Sequence, residues 1–485
     1  MLFHFISIHV KIISFFILKS FVLFVSLFSK LKSSVINKQY DMTKSYDVII
    51  IGGGATGAGV ARDCARRGLR VLLIERFDIS TGATGRNHGL LHSGARYAVT
   101  DQESAEECIK ENMLLRKIAS HCVEETDGLF LSLPEDDIRY QAKFVAACQR
   151  AGIRAEIIDP KEALLLEPAA NPDIIGAVRV PDGAVDPFRL TASNIMDAKN
   201  HGAEVLTYHE VIEVLKEQGR VVGVKVQDHK TKEEKSYYAE VVVNAGGIWG
   251  HHIAHLAGVY VNMLPAKGAL LIFGHRVNNM VLNRCRKPAD ADILVPGDTI
   301  SLIGTTSSKI PFEEIDHMLV TSKEVDLLLR EGEKLSPVLA QTRILRAYAG
   351  VRPLVAADDD PSGRNVSRGI VLLDHAVRDG LEGFITITGG KLMTYRLMAE
   401  WTTDLVCEKL HISAVCTTAS EKLPGSRENV EEIGKKIISL PLAQRRSTLS
   451  RHGDMAEKLS ENTPLENSLV CECEEVSVGE VKYAL

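Results

Sequence analysis

Residues 46–57 read YDVIIIGGGATG, and this stretch decides the fold. The apolar run before the glycines is continuous and rich in isoleucine, which is typical of a parallel strand buried on both faces. Residues 55–68 then carry small side chains at helical spacing, and residues 69–74 form a second apolar run. Together they predict a strand–helix–strand unit with parallel strands.

The glycines of this unit suit a dinucleotide. Gly52 permits the tight turn after the first strand, Gly54 lets the backbone approach a pyrophosphate, and Gly57 lets helix and strand pack closely. The helix N-terminus faces the phosphate charge. Glu75 ends the second strand and is placed to accept hydrogen bonds from ribose hydroxyls, which indicates FAD or NAD rather than NADP.

The segment at 81–97, TGATGRNHGLLHSGARY, favours FAD among these cofactors. Thr84, Gly85 and Gly89 are predicted cofactor contacts, because glycine lets backbone lie close to a flat ligand. A surface loop is the alternative, since Gly, Ser and Thr are common there. The segment also carries many ionisable side chains for a connector, namely Arg86, His88, His92 and Arg96.

Composition is that of an ordinary globular protein. The chain has 485 residues, 45% of them hydrophobic and 25% charged, with a net charge of −6. This length predicts two or three domains. No basic tail or Lys/Arg stripe occurs, so nucleic acid is not expected as a partner. The nine cysteines are mostly scattered, which fits a reducing cytoplasm better than a disulfide scaffold.

Residues 1–41 differ from the rest of the chain. They are apolar, but Lys11 and Lys19 interrupt them, and no stretch free of Lys and Arg is longer than the ten residues of 20–29. A membrane span needs roughly 20 apolar residues. Three interpretations stay open: an over-extended start ahead of Met42, a membrane-contacting extension, and a cleaved signal.

Five motifs in one order carry a family resemblance. They are the opening unit, HSGARY at 92–97, VVVNAGGIW at 241–249, GVRPL at 350–354 and TGGKLMTYR at 388–396. From about residue 46 onward the chain resembles the FAD-dependent glycerol-3-phosphate dehydrogenases of the D-amino-acid-oxidase-like flavoproteins. Within that family it is most similar to the A subunits of the anaerobic bacterial enzymes.

The resemblance implies an α/β fold with an α+β second domain. A Rossmann-like FAD domain would be assembled from discontinuous segments, and a substrate domain would lay an antiparallel sheet over the flavin. The implied core is 46–405, with FAD-binding parts at about 46–115, 186–258 and 346–405 and substrate parts at about 116–185 and 259–345. A helical C-terminal region would occupy 406–466. The residues themselves predict a strand at 241–243 and a helix at 322–335 capped by Ser322.

The implied activity is oxidation of sn-glycerol 3-phosphate to dihydroxyacetone phosphate, with the hydride passing to FAD. A phosphate monoester calls for a cationic clamp. The resemblance assigns phosphate binding to Arg96, Arg352 and Lys391, adds Tyr97, and gives Arg352 a catalytic role as well.

His92 is the predicted proton acceptor, because histidine suits proton transfer near neutral pH. A structural histidine bonded to backbone or flavin is the alternative. Relatives of the aerobic type carry a histidine in a KGSH segment, whereas this chain reads KGAL at 267–270. Gly246, Gly389 and Gly390 are predicted to lie beside the cofactor.

Residues 467–485 resemble the opening of a small [2Fe–2S] domain of the bacterioferritin-associated-ferredoxin type. Cys471 and Cys473 form a C-x-C pair, and such a cluster normally needs four ligands. The expectation is therefore an incomplete cluster site. FMN or a [2Fe–2S] cluster would occur only in a full complex.

The resemblance also implies where the electrons go. They would pass to partner subunits on the cytoplasmic face of the bacterial inner membrane, where the chain would be peripheral, and then to a quinone. The alternative enzyme is an amine or 2-hydroxy-acid oxidase of the same superfamily. A non-catalytic, FAD-bearing electron-transfer protein is the alternative from another class.

Overall fold

The computed structural model describes residues 45–356, 366–367, 369–427, 430–437, 442–457, 469–471 and 476–484. The segment Tyr46–Leu485 forms one compact unit. The interpretations of residues 1–41 therefore lie outside the described residues.

The strands of the described chain are, in order, β1 (Ser45–Ile51), β2 (Val71–Ile74), β3 (Leu90–Leu91), β4 (Val123–Glu124), β5 (Gly128–Ser132), β6 (Glu156–Ile158), β7 (Gly176–Val180), β8 (Gly183–Val185), β9 (Glu204–Leu206), β10 (His209–Glu217), β11 (Arg220–Asp228), β12 (Glu234–Asn244), β13 (Met263–Phe273), β14 (Val281–Arg284), β15 (Ile293–Pro296), β16 (Ser301–Gly304), β17 (Ser308–Lys309), β18 (Ile344–Ala356), β19 (Val366–Ser367), β20 (Ile370–Asp374), β21 (Phe384–Gly389), β22 (Leu469–Cys471) and β23 (Val476–Ser477).

The helices are α1 (Ala55–Arg66), α2 (Gln102–Ile118), α3 (Tyr140–Arg150), α4 (Pro160–Leu166), α5 (Pro187–Asn200), α6 (Gly250–Ala257), α7 (Ser322–Leu335), α8 (His375–Asp379), α9 (Tyr395–Lys409), α10 (Val430–Lys436), α11 (Leu442–His452) and α12 (Val478–Ala484). The predicted strand–helix–strand unit is thus β1–α1–β2, with the helix two residues shorter and the second strand beginning two residues later than expected.

An eight-stranded sheet carries the dinucleotide unit. Its order is β10-β11-β12-β1-β2-β9, with β21 pairing β12 and β20 pairing β21. β1 pairs β2 in parallel, and β2 pairs β9 in parallel. The strands come from distant parts of the chain, as the predicted assembly from discontinuous segments requires. The predicted α/β fold is confirmed.

β1 is buried on both faces of this sheet. Val48 and Ile50 pack in one apolar cluster with α1 and α9, whereas Ile49 and Ile51 pack on the opposite face against β10, β11 and β12. Successive side chains of a strand point to opposite faces. The continuous apolar run seen in the sequence is therefore the consequence of having two covered faces.

A second sheet has ten strands in the order β19-β18-β13-β16-β15-β14-β5-β7-β6, with β17 on β13. It is antiparallel except where β14 pairs β5 in parallel. β18 pairs with β13 along almost its whole length, from Ile344 to Val355. The division of the chain into domains remains a prediction. It differs from the sheets because it places 346–356 and β19, which belong to the ten-stranded sheet, with the FAD-binding parts.

Helix α7 has the predicted bounds but a different cap. The Thr321 hydroxyl accepts a hydrogen bond from the Glu324 backbone N–H, and the Glu324 carboxylate accepts one from the Thr321 N–H at 2.9 Å. This reciprocal pair is a capping box. The expected cap at Ser322 is wrong by one residue, because Ser322 already belongs to the first helical turn.

Candidate active site

The glycine turn after β1 is packed so tightly that a side chain on Gly52 or Gly57 would collide with the backbone. A Cβ on Gly52, which has a φ of +115°, would stand 2.5 Å from the Ala245 carbonyl oxygen. A Cβ on Gly57 would stand 1.9 Å from the Gly52 carbonyl oxygen. Both distances are far below van der Waals contact, so the turn and the close packing of α1 depend on glycine, as predicted.

Gly54 lines the cavity described below. The nearest atom to an added Cβ would be the Thr84 hydroxyl oxygen at 3.0 Å, at the end of a flexible side chain. That hydroxyl also accepts a hydrogen bond from the Ala55 N–H at 3.0 Å, at the start of α1. The helix N-terminus therefore borders the cavity on the side where a side chain at 54 would intrude.

Glu75 is held against the glycine turn. One carboxylate oxygen accepts from the Gly53 N–H at 2.7 Å, and the other accepts from the Phe77 N–H at 2.9 Å. Each carboxylate oxygen can accept a second hydrogen bond. Glu75 is thus oriented at the cavity edge with acceptor capacity for ribose hydroxyls.

Gly85 and Gly89, which are predicted cofactor contacts, also lie close to protein backbone. An added Cβ would lie 2.4 Å from the Ser80 carbonyl oxygen at Gly85 and 2.7 Å from the Val185 carbonyl oxygen at Gly89. These contacts are with protein backbone. A flat ligand is therefore not needed to explain the absence of side chains there.

A cavity of about 1030 Å³ joins these residues to the predicted clamp. Ligand pockets are typically ~300–1,000 Å³, so this one suits a large cofactor together with a small substrate. Its lining includes Gly52, Gly54, Glu75, Thr84, His88, His92, Arg96, Tyr97, Gly246, Arg352, Gly389, Gly390 and Lys391. The predicted residues Gly57, Gly85 and Gly89 are not part of this lining. The open cradle at Gly54, the helix N-terminus and Glu75 fit the pyrophosphate and adenosine of FAD.

Arg352 enters the cavity from β18. Its guanidinium donates hydrogen bonds to the Thr305 hydroxyl and to the Thr306 carbonyl oxygen, the latter at 3.1 Å. A Cβ on Gly268 would stand 2.7 Å from its Nη2. Gly268 therefore leaves room for the guanidinium, which is one consequence of the KGAL sequence in β13.

Lys391 lies at the turn between β21 and α9. Its ammonium nitrogen is 4.7 Å above the Tyr97 ring. This nitrogen is buried and has no hydrogen-bond partner among the described residues. A Cβ on Gly389 would lie 2.4 Å from the Gly369 carbonyl oxygen, and one on Gly390 would lie 2.5 Å from the Met398 sulfur. The two glycines let the turn carry the lysine into the cavity, where a buried cation favours an anion.

Arg96 is oriented by a buried carboxylate that the sequence did not single out. Its guanidinium donates to the Ala289 carbonyl oxygen at 2.9 Å and to Asp292 at 3.4 Å. Asp292 also accepts from Arg286 and from the Ala289 N–H, both at 2.7 Å. No short sequence motif links residues 96 and 292, so only the fold brings them together.

Two histidines complete the wall of the cavity. The His92 ring centroid is 5.4 Å from that of Tyr97 and 6.1 Å from that of His88. His92 is buried. The structure therefore brings together His92, Tyr97, Arg96, Arg352 and Lys391 around one cavity, and it adds His88, which the sequence noted only as part of an unusual loop.

The C-terminal cysteines are described only in part. Cys471 is a half-buried free cysteine at the end of β22, and Cys473 lies outside the described residues. Within the described segments, no group of three or more His, Cys, Asp or Glu side chains is placed to hold a metal ion. The incomplete cluster site remains a prediction.

Among the helices that the structure describes, none has the length and apolar character needed to cross a membrane.

Comparisons with known proteins identify the family of the chain. Residues 47–396 match the family described as FAD dependent oxidoreductase. The chain is 67% identical over 443 residues to the A subunit of the anaerobic glycerol-3-phosphate dehydrogenase of Escherichia coli (strain K12), which covers 91% of this chain and 82% of that protein. It is 66% identical over 441 residues to the protein of the same name from Haemophilus influenzae, covering 91% of this chain and 78% of the relative.

A solved structure agrees with these relatives. The glycerol-3-phosphate dehydrogenase from Bacillus halodurans, complexed with FAD, is similar with a TM-score of 0.64 and 25% sequence identity. The similarity covers 86% of this chain and 77% of that one. The chain therefore belongs to the FAD dependent oxidoreductase family and, within it, to the family of the anaerobic glycerol-3-phosphate dehydrogenase A subunits.

Proposed function

We propose that this chain oxidises sn-glycerol 3-phosphate to dihydroxyacetone phosphate, with FAD as its cofactor. The observation that carries the proposal is the Lys391 ammonium, which is buried in the cavity without a hydrogen-bond partner among the described residues. A phosphate oxygen would supply that partner, and Arg96 borders the same cavity. A phosphate monoester, which is a dianion, pairs with two cations better than a ligand with a single carboxylate would.

The FAD cradle and the clamp share one cavity, which places a bound substrate beside the cofactor. When bound, FAD supplies the hydride acceptor for the carbinol C–H. Lys391, Arg96 and Tyr97 hold the phosphate. Arg352 donates to the substrate oxygen at the reacting carbon, and His92 takes the hydroxyl proton.

The electrons taken from the substrate would leave this chain through other proteins. We propose that they pass to partner subunits at the cytoplasmic face of the bacterial inner membrane, where this chain is peripheral, and then to a quinone. Support comes from the family, because its members are named as A subunits.

A substrate screen tests the proposal. Purified protein with an artificial electron acceptor is assayed with glycerol 3-phosphate, D-amino acids, sarcosine and 2-hydroxyglutarate. We expect turnover with glycerol 3-phosphate. Turnover with an amine or a 2-hydroxy acid in its place would support the alternative oxidase, and flavin that no substrate bleaches would support a non-catalytic electron-transfer protein.

A further inference from the structure

His88 lines the cavity, and the proposed reaction gives it no task. Its Nδ1 accepts a hydrogen bond from the Leu90 backbone N–H at 3.2 Å. A neutral imidazole has one donor nitrogen and one acceptor nitrogen. Because Nδ1 is the acceptor, the ring proton is on Nε2.

The edge of the His88 ring that carries Nε2 faces away from the contact between Nδ1 and Leu90. A Cβ on Gly304 would stand 3.6 Å from the His88 Cδ2, the ring atom next to Nε2. No residue in the described part of the chain forms a hydrogen bond to Nε2. The Nε2–H is therefore a donor in the wall of a cavity, without an acceptor among the residues that the structure describes.

Burial and neighbouring charges keep this ring neutral. Burial, together with the guanidinium groups of Arg352 and Arg96, lowers the pKa of His88 to about 3. At working pH the ring then has an occupied Nδ1 and a protonated Nε2. It can donate a hydrogen bond but has no free nitrogen with which to accept a proton.

The position of His88 indicates which part of a substrate it meets. Ring contacts connect Lys391 to Tyr97, Tyr97 to His92, and His92 to His88. His88 is thus at the opposite end of this row from the lysine. Beside His88, Gly304 is followed by Thr305, whose hydroxyl accepts a hydrogen bond from Arg352.

We propose that the His88 Nε2–H donates a hydrogen bond to the substrate oxygen that becomes the product carbonyl, and so selects an alcohol over an ammonium compound. This inference rests on the proposed function and adds a specificity residue to it. The hydroxyl oxygen gains negative charge as its proton moves to His92, and a preorganised donor stabilises that charge. An ammonium group offers no lone pair to this donor, and Arg352 would repel it. His88 keeps its own proton throughout.

Two matched variants separate a donor from a structural histidine. His88→Gln places an amide N–H near the position of Nε2. His88→Asn keeps an acceptor near the position of Nδ1 for the Leu90 N–H but ends short of Nε2. We expect kcat/KM to fall about tenfold in His88→Asn and to stay within about threefold of wild type in His88→Gln, the scale of one hydrogen bond. Rates are expressed per bound FAD, so that altered flavin content does not enter.

The opposite ranking, with His88→Asn the more active variant, would show that the Leu90 contact is what matters and would overturn the proposal. Equal activity of both variants would overturn it too. The pH profile of kcat decides whether His88 is the base instead. We expect its acidic limb to remain in His88→Gln, and loss of that limb with a fall of kcat of about a hundredfold would identify His88 as the proton acceptor.

The activity of the wild-type protein, assayed beside the two variants, tests the proposed function separately. If it reduces its flavin with another alcohol and not with glycerol 3-phosphate, the proposed function fails, and the variant ranking measured on that alcohol still tests the donor. If only an amine is oxidised, the selection by His88 is refuted.

Discussion

A buried ammonium group without a hydrogen-bond partner is costly to a folded protein. The Lys391 nitrogen is such a group within the described residues, with the Tyr97 ring 4.7 Å below it. A bound dianion would offset that cost. Lys391 is therefore expected to matter more for substrate binding than for the integrity of the fold.

Replacing this lysine tests the clamp. In Lys391→Met, loss of a charge-assisted contact of roughly 1.5–3 kcal/mol should raise KM for glycerol 3-phosphate about ten- to a hundredfold while FAD stays bound. Lys110→Met is a matched control, because Lys110 is exposed on α2. Steady-state kinetics and flavin absorbance give both readouts. A KM within twofold of wild type in Lys391→Met would contradict the clamp.

Asp292 has a role at the same scale, since its carboxylate is buried between Arg96 and Arg286. In Asp292→Asn the charge that orients Arg96 is lost, and we expect KM to rise roughly tenfold. If Asp292 acts through Arg96, the double variant with Arg96→Ala should be no worse than Arg96→Ala alone. Losses that simply add in this double-mutant cycle would show an independent role.

At the scale of elements, the turn between β1 and α1 can be tested without breaking it. An added Cβ at Gly54 would have only the Thr84 hydroxyl within 4 Å, at 3.0 Å, so we expect Gly54→Val to fold and its side chain to occupy the space of the pyrophosphate. We expect a colourless folded protein, judged by absorbance and circular dichroism. A fully yellow Gly54→Val would refute the cofactor site.

The same element shows what sequence predicts well. β1, α1 and β2 are contiguous, and their pattern of apolar and glycine residues reflects contacts within the unit itself, such as Gly57 against Gly52. At Gly85 and Gly89 the structure adds a reason that the sequence did not show, because an added Cβ would meet the Ser80 and Val185 carbonyl oxygens. Their contacts with the cofactor stay a prediction. The capping box at Thr321 was missed because Ser322 offered an equally plausible cap.

The pairing of strands that are distant in the chain could not be predicted from the sequence. The register of β18 on β13 joins residues about 80 positions apart in the chain, as in the pair Gly268 and Gly350. This pairing decides that Arg352 lies over Gly268 and that β18 belongs to the ten-stranded sheet. Neither consequence follows from the motif GVRPL, which marked Arg352 only through the family resemblance.

At the scale of the whole molecule, both large sheets contribute to one cavity. The eight-stranded sheet supplies the glycine turn and Glu75, and the ten-stranded sheet supplies Arg352. Family motifs predicted most of these side chains individually. His88 and Asp292 were not assigned roles, because their significance comes from neighbours that the fold brings from other segments, such as Gly304 and Arg96.

The central claim is that one protein both binds FAD and reduces it with glycerol 3-phosphate. Anaerobic titration of the purified chain with glycerol 3-phosphate, followed by flavin absorbance, tests that claim most directly. The account predicts bleaching of the bound flavin, with one dihydroxyacetone phosphate formed per FAD reduced. Flavin that stays oxidised with excess glycerol 3-phosphate, but is bleached by dithionite, would contradict it.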